Sequence, residues 1–218
     1  MTTSTVLSAT ERASALAELP DWRYWLQSLH TAYECMTAGA ATALIAAIGS
    51  AAEELDHHPD LDWRYRHVFV RLSTHAAGHR VSTRDVELAR EISQAARSTG
   101  ATAQPTLCRT VEIAVDATDP AAISGAWADA LGYDADAEGN LFDPWRRGPA
   151  VWFQQTATPD PSRIHLDVQV EDDTADAVIA EAVEAGAVRL DERFRPSFTV
   201  LADADGNRIC VCTNLGRD

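Results

Sequence analysis

The chain has 218 residues, 46% of them apolar, and a formal net charge of −15 at neutral pH. All 18 basic residues are Arg, which excludes Schiff-base lysine chemistry, a lysine-anchored pyridoxal cofactor and the Lys of a phosphate-binding P-loop. Nucleic acid and anionic membranes are unsuited as partners, because both need clustered cations.

The length fits two units of about 100 residues, and the charge is uneven between them. Residues 1–105 balance to −3 and residues 106–218 to −12. No apolar stretch reaches the roughly 20 residues of a bilayer span. The N-terminal MTTSTVLSATERASAL lacks the basic start and apolar core of a signal peptide, so a cytoplasmic location is expected. Cys35, Cys108, Cys210 and Cys212 show no CxxC pairing and read as reduced, packed hydrophobes.

Ser8 and Glu11 have capping-box spacing, which predicts a helix to about Leu19, stopped by Pro20. Residues 22–35, rich in aromatics and β-formers, predict one or two strands. Leu44, Ile45, Ile48, Ala52 and Leu55 fall at helical spacing, and Thr37 is a fitting cap for a helix over 37–56. That helix must end near His57, because Pro59 pushes His58 out of the helical region. In 65–75, Val68, Val70 and Leu72 alternate with His67, Phe69 and Arg71, which predicts a half-buried strand. A last helix runs from Ser82 to about Ser98, and the small, polar 99–107 reads as a linker.

Beyond it, a strand at 110–115 leads through Asp119-Pro120 into a helix ending in Ala-Leu-Gly-Tyr, with VWFQQ as a later strand. A second strand, RIHLDVQV, leads through Asp172-Asp173 into another helix and two further strands, FTVLAD and RICVC. Two β-α-β-β-β copies of about 50 residues are the natural reading. The fold class is therefore α+β. Residues 1–98 should form the first unit, 99–107 a linker, and 108–218 the paired copies.

Five of seven histidines, His57, His58, His67, His75 and His79, lie within 23 residues. Imidazole is suited to giving and taking protons near neutral pH, and a reaction that expels water needs both an acid and a base. His67 and His79 taken alone read as surface residues. Asp85, three residues after Ser82, reads equally as a capping-box carboxylate and as a site residue. No His-x₃-His or Cys/His spacing of a zinc site is present, so no metal is expected here.

The run AEELDHHPDLDWRY, then VFVRLSTH, then SxRDVELA resembles the pterin-4a-carbinolamine dehydratase family over residues 8–97. The resemblance implies dehydration of 4a-hydroxytetrahydropterin, such as 4a-hydroxytetrahydrobiopterin, to quinonoid dihydropterin, without cofactor or metal, by a protein that is usually a homo-oligomer. It implies an antiparallel sheet with helices on one face, His57 and His75 as the acid/base pair, and His58 orienting the pterin. Pro59 would fix the turn, and Tyr65 and Asp85 would support the site. One departure is visible: ten steps separate His75 from Asp85, through AAGHRV, where the family commonly has nine.

The second half, with Asp119-Pro120, Ala-Leu-Gly-Tyr, His-Leu-Asp and the Asp-x-Asp-Gly-Asn turn, resembles the glyoxalase-like branch of the vicinal oxygen chelate superfamily over residues 108–214. Where members of that superfamily hold a metal, this chain carries Glu112, His165 and Cys210. Packing is the stronger reading of His165 and Cys210, and a cavity lined by Trp127, Trp152, Phe153 and Phe198, holding a small ligand, is expected instead. Two alternatives stand beside the dehydratase reading. Catalysis or binding resides in the second half, with the first serving as an oligomerisation or regulatory module, or the whole chain only binds.

Overall fold

The computed structural model describes residues 5–158 and 162–216, and between Cys108 and Arg109 the chain divides into two units. In the first, Ser8 caps α1 (Ala9–Ala17) through the reciprocal bonds with Glu11 that the spacing predicts. β1 (Arg23–Trp25) and β2 (Ser28–Glu34) form a hairpin whose two loop residues, Leu26 and Gln27, both have positive φ. That geometry matches the right-handed twist of the strands without a glycine. After α2 (Ala38–Leu55), a second hairpin pairs β3 (Asp60–Arg64) with β4 (His67–Leu72), and α3 (Thr83–Ser98) follows.

The antiparallel sheet has the order β1-β2-β4-β3. Leu29, Tyr33, Val68, Val70 and Leu72 line its core face, against Leu44 and Ile48 of α2 and Leu88 and Ile92 of α3. Each fully buried Leu or Ile there contributes roughly 2 kcal/mol. α2 has the length and mean hydropathy, 18 residues and 1.2, of a marginal bilayer span, and its Ala41, Leu44, Ile48 and Ala52 lie in the core. Residues 99–107, expected as a linker, are tied into the first unit. β5 (Thr102–Ala103) pairs with β2, and Gln104 N donates to Ala32 O at 2.7 Å.

The second unit is one sheet built from two copies. The first runs β6 (Thr110–Ala117), α4 (Pro120–Leu131), β7 (Asp134–Ala135), β8 (Leu141–Phe142) and β9 (Ala150–Gln155). The second runs β10 (Ile164–Gln169), α5 (Ala175–Glu184), β11 (Val188–Asp191), β12 (Phe198–Ala202) and β13 (Arg208–Cys212). In each copy the last strand lies parallel to the first, and the two first strands pair antiparallel at the centre. The copies also repeat a turn. Asp136 Oδ1 accepts from the backbone N–H groups of Glu138 and Asn140, and Asp203 Oδ1 does the same with Asp205 and Asn207.

The expected cavity of four aromatics is not formed as one group. Trp152 and Phe153 are successive on β9 and so point to opposite faces. Phe153 packs edge-on against Trp127 in the core under α4. Phe198 stacks on Phe194, and its register opposite Cys212 puts it on the face that Trp152 shares.

Candidate functional site

The site in the first unit begins at the end of α2. Asp56 takes a left-handed conformation (φ 47°), and His57 N donates back to Ala52 O at 3.0 Å, so the chain leaves the helix abruptly with His57 turned inward. From α3, Arg84 Nη1 donates to Asp56 O at 3.0 Å and pins this turn. Pro59, half-buried, then commits the chain to β3.

His57 is 8% exposed and its Nε2 lies 2.8 Å from Oδ1 of the fully buried Asp85. A carboxylate can only accept, so Nε2 carries the proton and Nδ1 is the ring nitrogen turned away from Asp85. Asp85 Oδ2 accepts from Thr74 Oγ1 at 2.6 Å and from Ser82 N at 2.7 Å. Thr74 has given its one proton to Asp85, so in its 2.6 Å contact with Ser82 Oγ the serine is the donor. The capping-box reading of Asp85 is realised through Oδ2, while Oδ1 holds the His57 ring.

Thr74 leads directly into His75, the exposed first residue of a short 3₁₀ turn at the end of β4. One carboxylate thus fixes His57 and the anchor of His75 together. His58 is 60% exposed and reaches Glu53 Oε1 of α2 at 3.1 Å. Tyr65 is not brought to these histidines. It occupies the β3–β4 turn with φ 54° and 75% exposure, about 13 Å along the strand from the Asp60 end where His57 and His58 lie. His79, read as a surface residue, is half-buried with its ring centroid 4.6 Å from that of His75.

A second group lies on the face of the other sheet away from α4 and α5. β10 alternates His165, Asp167 and Gln169 on one face, and the register sets Asp167 beside Glu112 on β6 and Cys210 on β13. Ligand atoms of His165, Asp167 and Cys210 lie within 4.8 Å of one another, and Trp152 Nε1 donates to Asp167 Oδ2 at 3.1 Å. Of the three positions named from sequence, His165 and Cys210 come together. Glu112 instead accepts from Gln169 Nε2 at 3.4 Å, and the third member is Asp167. The period-2 spacing of His165 and Asp167 could have revealed it. Burial, with the Asp167 carboxylate beside it, pushes the Cys210 thiol far above its ordinary range, so the thiol stays protonated. The four cysteines are all buried and none is in a disulfide.

Family models match both units: pterin 4 alpha carbinolamine dehydratase over residues 5–95, and a glyoxalase-like domain over residues 112–212. A protein of Nocardia farcinica named as a candidate pterin-4-alpha-carbinolamine dehydratase is 41% identical over 95 residues, which are 44% of this chain and 99% of that one. A counterpart in Streptomyces coelicolor is 39% identical over 95 residues, 44% of this chain and 94% of its own. Among solved structures, a transcriptional coactivator/pterin dehydratase from Brucella melitensis aligns with a TM-score of 0.41 and 28% identity, over 42% of this chain and 99% of that chain.

Proposed function

This chain belongs, through residues 5–95, to the pterin 4 alpha carbinolamine dehydratase family, and from that premise we propose that its first unit dehydrates a 4a-hydroxytetrahydropterin to the quinonoid dihydropterin. The observation that supports this reading is a buried carboxylate, Asp85, that holds His57 through one oxygen and Thr74, next to His75, through the other. Two imidazoles set on one rigid frame are what an elimination of water requires.

In this mechanism one imidazole of the His57/His75 pair protonates the hydroxyl on C4a, and the C–O bond breaks to release water. The other imidazole takes the proton from N5, and the N–H electron pair forms the N5–C4a double bond. One proton is given and one is taken, so the pair ends with its protonation exchanged and resets through solvent. His58 orients the pterin, and Asp85 holds the His57 ring so that Nδ1 meets the substrate. Stopped-flow absorbance of freshly generated 4a-hydroxytetrahydropterin is the test. The full chain should speed its decay well above the uncatalysed rate, and His57→Ala should remove roughly 10²- to 10⁴-fold of that acceleration. No acceleration by the unaltered chain would end this reading.

A second reading is favoured by the His165, Asp167 and Cys210 group. Here the second unit binds a divalent ion or a small ligand on the sheet face away from α4 and α5, a cysteine sulfur that gives up its proton on binding favouring zinc, and the first unit serves assembly. Metal analysis after zinc loading decides it: one ion per chain, lost in His165→Ala, supports this reading, and none above background removes its metal form.

A further inference from the structure

The loop between β4 and α3 carries the extra step and a histidine, His79, that the dehydratase motif does not account for. Its seven residues from Thr74 to Arg80 close on themselves. Thr74 N donates to Arg80 O at 3.0 Å, His79 N to Thr74 O at 3.1 Å, and Arg80 Nε to Ala77 O at 2.9 Å. Two successive residues, Gly78 (φ 69°) and His79 (φ 59°), take the left-handed conformation. Glycine does so freely, whereas a residue with a Cβ is strained there, and such strain concentrates at functional sites.

The strained backbone has a definite result. It turns the His79 imidazole back over His75, with ring centroids 4.6 Å apart and planes at 45°. Rings at this spacing attract one another. The two rings are unequal, because His75 is exposed whereas His79 is half-buried and its Nδ1 is out of contact with solvent. A half-buried ring therefore backs an exposed one. His57 obtains its orientation from a carboxylate, whereas His75 has this ring behind it.

We propose that His79 is a positioning residue of the dehydratase site, which holds the His75 ring in the orientation needed for proton transfer; this rests on the reading of His57 and His75 as the acid/base pair. The longer loop is then the means by which the chain seats this second ring.

The test uses the full chain and two variants, His79→Asn and His79→Gly, which remove the ring while keeping residues that accept left-handed backbone. In the absence of any pterin, the His75 imidazole signals in a ¹H–¹³C NMR spectrum should move in both variants, since the neighbouring ring is gone, and thermal unfolding should stay unchanged. With 4a-hydroxytetrahydropterin, kcat should fall about tenfold while KM stays within about twofold, because orientation matters in the proton-transfer step rather than in binding. Unmoved His75 signals, an unchanged kcat, or a loss carried by KM alone would each overturn the proposal. A chain whose His75 signals respond but which shows no dehydratase activity even unaltered would instead overturn the reading of the site, leaving the ring pairing in place.

Discussion

Asp85 and Asp167 each lie buried beside a histidine, and they are bonded very differently. Asp85 accepts from His57 at 2.8 Å, Thr74 at 2.6 Å and Ser82 N at 2.7 Å. Asp167 accepts from Trp152 at 3.1 Å, stands 3.7 Å from His165 and has a protonated thiol, Cys210, at its side. The first carboxylate takes three hydrogen bonds from its own chain, which hold it and the His57 ring together. The second is bonded through an indole N–H and stands farther from its histidine. A buried histidine–carboxylate pair is thus a tightly bonded unit in one half of the chain and, with Cys210, a looser group in the other.

The comparison is tested most strongly by removing both carboxylates in turn. Asp85→Ala strands a buried hydroxyl, an α3 backbone N–H and the His57 ring together. It should destabilise the first unit by about 3 kcal/mol or more and reduce dehydratase turnover at least about 100-fold. Asp167→Ala frees one indole N–H at a partly open position, so about 1 kcal/mol is expected, with dehydratase turnover unchanged. Urea unfolding followed in each variant, with turnover measured alongside, checks both. Equal losses would mean that the two carboxylates do the same structural task.

What could be read from the sequence follows the same division. The capping boxes at Ser8 and Ser82, the α2 stripe of Leu44, Ile48 and Ala52, and the alternation of Val68, Val70 and Leu72 are local patterns, and all are realised. β3 was invisible because Asp60–Arg64 is exposed along its whole length and alternates nothing. β7 and β8, two residues each, are too short to carry a period. Of the site, His57, Asp85 and the His75 anchor were legible because one ordered motif contains them. Tyr65 belongs to the same motif, but hairpin geometry carries it to the far end of two strands. The partnership of Asp167 with Cys210 depends on a parallel register between strands 40 residues apart, which no local pattern encodes. Likewise His79 was taken for a surface residue because only the loop closure reveals the ring it faces.

The two units should also answer acid differently. In the first, His30 on β2 stacks on Trp25 with centroids 4.8 Å apart, and its Nε2 is shut off from solvent. Burial, reinforced by the Arg71 cation, holds its pKa down at about 3, against 6.5 for a free imidazole. Between those values the unfolded chain binds a proton that the folded chain refuses, so stability is complete above about pH 6.5 and falls as pH drops toward 3. In the second unit the groups shifted in the acid range are surface carboxylates. Asp191 is lowered to about 2 by Arg193, and Asp203 is lowered by Asn207. Their contribution is present above the ordinary carboxylate value of 3.8 and is lost only as pH falls below it. Thermal unfolding from pH 7 to 5 should therefore weaken the first unit alone, with a limiting slope of about 1.4 kcal/mol per pH unit for the one proton. His30→Gln should flatten that slope and leave the second unit's transition where it was. A slope that survives the substitution would assign the acid response to another group.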